Sequence, residues 1–286
     1  MSRKVDERAA IIARIRDDNR RGASELARDA VAALEEFAAT VTCNVLMETR
    51  TLAHELAGLR PTLCAISGLL GHCLEELEDE AGKPSAIVER AVERTLSWSN
   101  EATERTVTRA VEVLRGAGVI MTHSRSSTVQ AALARLAPPA RVIATESRPG
   151  FEGHDLARQL AERGAQVDVI TEAEIGLVVG EADAVLVGAD AILRDGSVVN
   201  KVGTHGLALA AREYEVPFYV CAESFKLSAS TTFSNEEHDP AELEAPTHPG
   251  IRPRNFYFES IPTGLISMYL SDIAIENEIE LAPKRR

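Results

Sequence analysis

The sequence predicts an α/β chain: a helical N-terminal domain over residues 1–115, then a domain over 116–286 with a parallel sheet and helices on both faces. Three observations predict it. Apolar residues recur at intervals of three and four up to about residue 112. Beyond Gly116, short apolar runs alternate with helical patterns. The 286 residues suit one large domain or two small ones.

The helical half begins with a segment from Ala9 to Leu34, where the three-and-four spacing is filled with Ala, Leu, Glu and Arg, all helix formers. Asn19-Arg20-Arg21-Gly22-Ala23 breaks the pattern, and Ser24 is placed to cap the helix resuming after the break. A second helix is expected from about Thr42 to Leu56, ended by Gly58. Pro61 opens a third segment through Ala65, Leu69, Cys73 and Leu77. Gly82-Lys83-Pro84 reads as a turn, and Ser85 as the cap of a long helix ending near Gly116.

The strand candidates are 119–122, 142–145, 167–170, 184–187 and 218–221. Helical stretches fall near 127–137, 153–163, 172–180 and 204–214. This alternation predicts parallel strands covered by helices. Asp195-Gly196 reads as a hairpin turn in the same sheet. Open sheets of this kind bind ligands beyond the carboxyl ends of their strands, and the polar clusters of the sequence occur at those ends.

Composition excludes several classes. Disorder and disulfide scaffolds do not fit an ordinary apolar and charged content, and no window approaches the ~18 apolar residues of a membrane span. The N-terminus carries both charge signs and lacks a signal peptide's apolar core, so a cytoplasmic protein is the expectation. Net charge is −13, and only five of 31 basic residues are Lys, which opposes direct general nucleic-acid binding and suits life in high salt. The four cysteines form no C-x-x-C pair and the histidines no ligand spacing, so no metal is expected. With no G-x-G-x-x-G or Walker A sequence, no cofactor is expected either.

The first strand ends in Thr122-His123-Ser124-Arg125-Ser126-Ser127-Thr128. Hydroxyls and an Arg before a helix suit a phosphate, because helix N-terminal amides point at the anion; an N-cap with solvated hydroxyls is the commoner explanation of such a segment on its own. The fourth strand ends in Gly188-Ala189-Asp190, followed by Asn200-Lys201-Val202-Gly203-Thr204. Asp190 is a candidate acid–base group, and Asn200 with Lys201 candidates to grip a phosphate. A helix-capping Asp and a surface Lys are the plainer alternative. Arg21 and Arg60-Pro61-Thr62 sit in breaks of the helical half, suited to bidentate phosphate contacts, though solvated arginines are commoner. His123 reads as an oriented structural histidine rather than a base.

Taken together, Arg21-Gly22-Ala23, Arg60-Pro61-Thr62, Thr122-His123, Glu146-Ser147-Arg148-Pro149, Gly188-Ala189-Asp190 with Asn200 to Thr204, and Ala222-Glu223-Ser224-Phe225-Lys226 resemble one family in order and spacing. It is that of the alpha, beta and delta subunits of translation initiation factor 2B, which also holds methylthioribose-1-phosphate isomerase and ribose-1,5-bisphosphate isomerase. The likeness spans about residues 15 to 270, and residues 222–226 resemble most the alpha subunit and the ribose bisphosphate isomerases. It implies a Rossmann-like second domain, a homodimer, and a phosphosugar or nucleotide pocket between the domains. By position, Arg21, Gly22, Ala23, Arg60, Arg148, Asn200 and Lys201 are then ligand or phosphate residues. Asp190 matches the isomerases' acid–base Asp.

Two departures stand out. The isomerases carry Cys directly after Thr-His, and this chain has Ser124. A serine hydroxyl is far less acidic than a thiol and needs a neighbouring base. Residues 255–262 match the family pattern only loosely. The resemblance therefore supports first a translation-factor-type regulator, binding a sugar phosphate or nucleotide monophosphate and partnering a translation initiation factor 2 subunit. The alternative is an aldose–ketose isomerase for ribose 1,5-bisphosphate or a related 1-phosphate, with Asp190 and Ser124 as catalytic groups.

Overall fold

The structure is a computed structural model that describes residues 2–18, 21–78, 81–136, 141–235 and 237–275. The chain divides into two compact units, Met1–Glu104 with Phe225–Leu227, and Arg105–Ser224 with Ser228–Arg286. The division falls inside a long helix.

The first unit holds α1 (Ser2–Arg16), α2 (Ala23–Ala38), α3 (Val45–Leu59), α4 (Cys64–Glu76) and most of α5 (Pro84–Val113). Their apolar stripes meet in a core that includes Leu26, Leu34, Phe37, Leu52, Leu56, Ile66 and Leu69, all fully buried. Two expected caps are elsewhere. Gly22, in extended conformation, is the N-cap of α2, and its N–H donates to Glu25 at 3.3 Å. Ser24 lies inside the first turn, its buried hydroxyl without a hydrogen-bond partner among the described residues. Pro84 opens α5, because the first helical position needs no N–H; Ser85 is therefore already helical. Asn19 and Arg20 of the expected break lie outside the described residues.

The second unit is built on a six-stranded parallel sheet flanked by helices. Its strands are β1 (Val119–Thr122), β2 (Arg141–Thr145), β3 (Gln166–Ile170), β4 (Ala184–Val187), β7 (Phe218–Cys221) and β9 (Met268–Leu270), in the spatial order β3-β2-β1-β4-β7-β9. Helices α6 (Ser127–Leu136), α7 (Glu152–Ala161) and α9 (Thr204–Glu213) connect them. β1 and β4 are central; all of β4 and all but Val119 of β1 are buried, as parallel strands covered on both faces must be. The end of α5, through Val107 and Ala110, and Leu114 just after it pack with Ile120, Val142 and Leu186.

Three expectations need correction. The stretch 172–180 is no single helix: a 3-10 turn at Glu172–Glu174, a short α8 (Ile175–Val178) and a second turn at Val179–Glu181 replace it. The Asp195-Gly196 hairpin is real but not part of the parallel sheet. It joins β5 (Ala191–Ile192) to β6 (Val198–Lys201), which pairs antiparallel with β8 (Phe258–Ile261) in a separate three-stranded sheet. The outermost parallel strand, β9, is absent from the sequence expectation. No helix among the described residues is long and apolar enough to cross a membrane.

Candidate functional site

In the sheet, β1 lies between β2 and β4, so the chain switches direction between β1 and β4. Ligands bind at such a switch point, beyond the carboxyl ends. Both strands end there in polar segments, Thr122 to Thr128 and Gly188 to Asp190. Three non-glycine residues in this region have positive φ: Ser124 (63°) after β1, and Ser147 (65°) and Phe151 (55°) after β2. Each such backbone costs on the order of 1–3 kcal/mol and persists only where surrounding contacts enforce it. Here the Ser124 N–H donates to the Ser147 hydroxyl at 2.8 Å, and the Ser147 N–H to Glu172 at 2.7 Å.

His123 is buried and fully engaged. Its Nε2 donates to the Val202 carbonyl at 2.8 Å, which makes Nδ1 the acceptor for the Thr145 hydroxyl at 2.6 Å. Burial lowers its pKa, outweighing the Val202 carbonyl, Glu172 and Glu152, which act in the opposite sense; the Lys201 ammonium adds to the lowering. His123 is thus a neutral strut between β1 and the segment after β6. Gly203 makes this possible: its φ is 105°, and a Cβ there would stand 2.8 Å from the imidazole.

Ser124 donates from Oγ to Glu152 Oε1 at 3.2 Å. The same oxygen receives Lys201 Nζ at 2.7 Å. Lys201 is almost buried, with its side chain 10% exposed, and its ammonium also lies 4.4 Å from the centre of the Tyr257 ring. That ring stacks on His238 and its hydroxyl donates to Glu242 at 2.5 and 2.6 Å. Lys201, Asn200 and Asp190 share the β5–β6 hairpin, where the Asp190 N–H donates to the Val199 carbonyl. Asn200 turns its amide nitrogen to Thr204 at 3.0 Å, and Thr204 caps back onto the Lys201 carbonyl. Arg148 is held apart from this group's contacts: it donates to the Leu243 carbonyl at 3.3 Å and lies over the Phe151 ring.

Ser126 caps α6, accepting the Val129 N–H at 3.3 Å, and Thr128 donates to the buried Glu223 at 2.5 Å. In the first unit, Arg21 and Arg60 both contact Asp18. Arg21 donates to the Asp18 carboxylate at 2.5 Å and to Asp29 at 3.0 Å, and Arg60 to the Asp18 carbonyl. Gly22 and Ala23 open α2, so its N-terminal amides stand beside this arginine cluster.

Sequence reasoning missed Glu152, Glu172 and Tyr257. Glu152 reads in sequence as an ordinary acidic residue of a helix's first turn. Among the described residues no group of three His, Cys, Asp or Glu could hold a metal ion.

The sheet order defines a doubly wound α/β protein with its polar cluster at the switch point. The chain belongs to the initiation factor 2 subunit family, whose model it matches over residues 19–276. It is 31% identical over 270 residues to the ribose 1,5-bisphosphate isomerase of Archaeoglobus fulgidus, covering 91% of this chain and 86% of that protein. It is 32% identical over 274 residues to a putative translation initiation factor eIF-2B subunit 2-like protein of Pyrococcus horikoshii, covering 93% and 94%. The crystal structure of the Pyrococcus horikoshii translation initiation factor eIF-2B superposes with a TM-score of 0.80 at 28% identity, over 99% of this chain and 98% of that one.

Proposed function

We infer that the chain is a sugar-phosphate isomerase, acting on ribose 1,5-bisphosphate or a related sugar 1-phosphate. One observation carries this reading. Lys201, a nearly buried ammonium, stands at the carboxyl edge of the sheet, on the hairpin that bears Asp190 and one carboxylate away from Ser124. A phosphate would share Lys201, which has three donors. Arg21 and Arg60, with the amides of Gly22 and Ala23, form a second group of phosphate donors. Asp190 serves as the acid that opens the sugar ring. The Archaeoglobus fulgidus relative, named for this isomerisation, supports the substrate class.

The second reading is the translation-factor-type regulator, which binds a sugar phosphate or nucleotide monophosphate without turnover and contacts a translation initiation factor 2 subunit. Ser124, where the isomerases carry Cys, favours it. In either reading the working form is a homodimer, which sedimentation tests.

Turnover of ribose 1,5-bisphosphate to ribulose 1,5-bisphosphate, measured in high salt, separates the two. The isomerase reading expects turnover that Asp190→Asn abolishes. Binding without turnover, with activity gained on Ser124→Cys, instead establishes the regulator. Neither binding nor turnover refutes both for this substrate.

A further inference from the structure

We propose that Glu152 is the catalytic base that carries hydrogen between C2 and C1 of the sugar, with Ser124 as its positioning donor. This rests on the isomerase reading. A serine hydroxyl cannot by itself take over a thiol's acid–base work, because it is far less acidic and its conjugate base is inaccessible near neutral pH. The carboxylate that accepts the Ser124 hydrogen bond stands 3.2 Å away. It therefore lies within one contact of the place where the family's thiol would be, and carboxylates are established bases for removing hydrogen next to a developing carbonyl.

The geometry is specific to that task. Glu152 is the first residue of α7, directly after Phe151 in left-handed conformation. Gly153 lets α7 press onto the end of β2, since a Cβ at that position would stand 1.8 Å from the Thr145 carbonyl oxygen. Both Ser124 and Lys201 contact Oε1 of Glu152. Oε2 takes no hydrogen bond among the described residues and lies beside Gly150, where an added Cβ would stand 2.6 Å from it; it is the oxygen that takes the proton in the proposed transfer. The side chain is 23% exposed, reachable yet shielded on the Lys201 side.

The reaction balances with these two carboxyl groups alone. Asp190 gives its proton to the ring oxygen as the bond from C1 to that oxygen breaks, its electron pair staying on oxygen. Glu152 takes the proton from C2, and the released pair forms the C1–C2 double bond of an enol phosphate. The C2 hydroxyl then returns a proton to Asp190 as the C2 carbonyl forms, and C1 takes the proton held by Glu152. Both groups end as they began, and no oxidant or reductant is required.

The test compares kcat and KM for ribose 1,5-bisphosphate in wild type, Glu152→Gln, Glu152→Asp and the double variant Ser124→Cys with Glu152→Gln, each checked by its melting midpoint. Glu152→Gln is expected to lower kcat by about 10²–10⁴ with KM within roughly threefold. The double variant is expected to regain turnover, the thiol assuming the base's work. Glu152→Asp, which withdraws the carboxylate by one methylene while keeping its charge, should lose roughly tenfold or more in kcat. A Glu152→Gln or Glu152→Asp enzyme with wild-type kcat overturns the proposal and leaves the isomerase reading standing. A raised KM with unchanged kcat overturns it too, since Glu152 would then only hold Lys201. No turnover by wild type removes the isomerase reading for ribose 1,5-bisphosphate and the proposal together.

Discussion

Replacing Gly153 with alanine tests whether helix α7 sets the position of Glu152. The added Cβ would stand 1.8 Å from the Thr145 carbonyl oxygen and 3.0 Å from its carbon, with the Glu146 carbonyl carbon at 3.1 Å. All three are backbone atoms, so no side chain can swing away. Ordinary contact begins near 3.5 Å, so the start of α7 must retreat from β2 by roughly 1.5 Å. The Gly153 N–H bond to the Glu146 carbonyl, at 3.2 Å, lengthens with it. Overpacking of this kind costs about 1–3 kcal/mol, and a unit of this size loses about 2–4 °C of melting temperature per kcal/mol. The same retreat carries Glu152 away from Ser124, whose 3.2 Å contact has no slack. The expected result of calorimetry and a turnover assay is a midpoint several degrees lower and kcat reduced by about tenfold or more. Gly206→Ala is the control: it lies in α9, exposed, with nothing within 4 Å of the new Cβ, and should stabilise by about 0.5–1 kcal/mol. If Gly153→Ala melts and turns over like wild type, the close approach of α7 to β2 does not position the site.

Other contacts make three further outcomes testable. Lys201→Met removes the cation from Glu152 and should cost about 1–3 kcal/mol of stability and at least tenfold in affinity for ribose 1,5-bisphosphate; unchanged titration calorimetry would remove Lys201 from the ligand site. His123 is held neutral by burial, so the unfolded chain binds its proton more readily than the folded one. Its contribution to stability is complete above the ordinary histidine pKa near 6.5 and is lost as pH falls below it; the melting midpoint between pH 7.5 and 5 should drop less steeply in His123→Asn than in wild type. Of the four cysteines only Cys43 is exposed, and burial pushes the Cys73 thiol up to about 11; a native thiol assay at pH 8 should report one fast-reacting group, and four after denaturation.

Much of the fold was legible in short runs of residues. The strand expectations at 119–122 and 184–187 coincide with β1 and β4, because central parallel strands are buried on both faces and read as uninterrupted apolar runs. β9 escaped notice because Met268-Tyr269-Leu270 is only three residues long. The stretch 172–180 misled because Glu, Ala, Ile and Leu favour helix, while Thr171 and Glu174 cap a 3-10 turn there and Gly176 and Gly180 weaken any longer helix. Ser24 and Ser85 were good caps by composition, but Gly22 and Pro84 open those helices.

The site divides along the same line. Asp190 and Ser124 could be singled out because each follows an apolar strand at a position where open sheets bind ligands, and Lys201 because it is one of only five lysines and stands just before a helix. That Ser124 faces a carboxylate could not, since Glu152 lies 28 residues away in a helix whose placement depends on β2 and Gly153. Nor could the neutral state of His123, which arises from burial between Thr145 and Val202. The sequence by itself determined the periodicities, the strand–helix alternation and the family likeness, because these rest on neighbours along the chain. Only the tertiary structure decided which strands adjoin, which hydroxyl meets which carboxylate, and where Lys201 is buried, because those arise from packing between residues far apart in the chain.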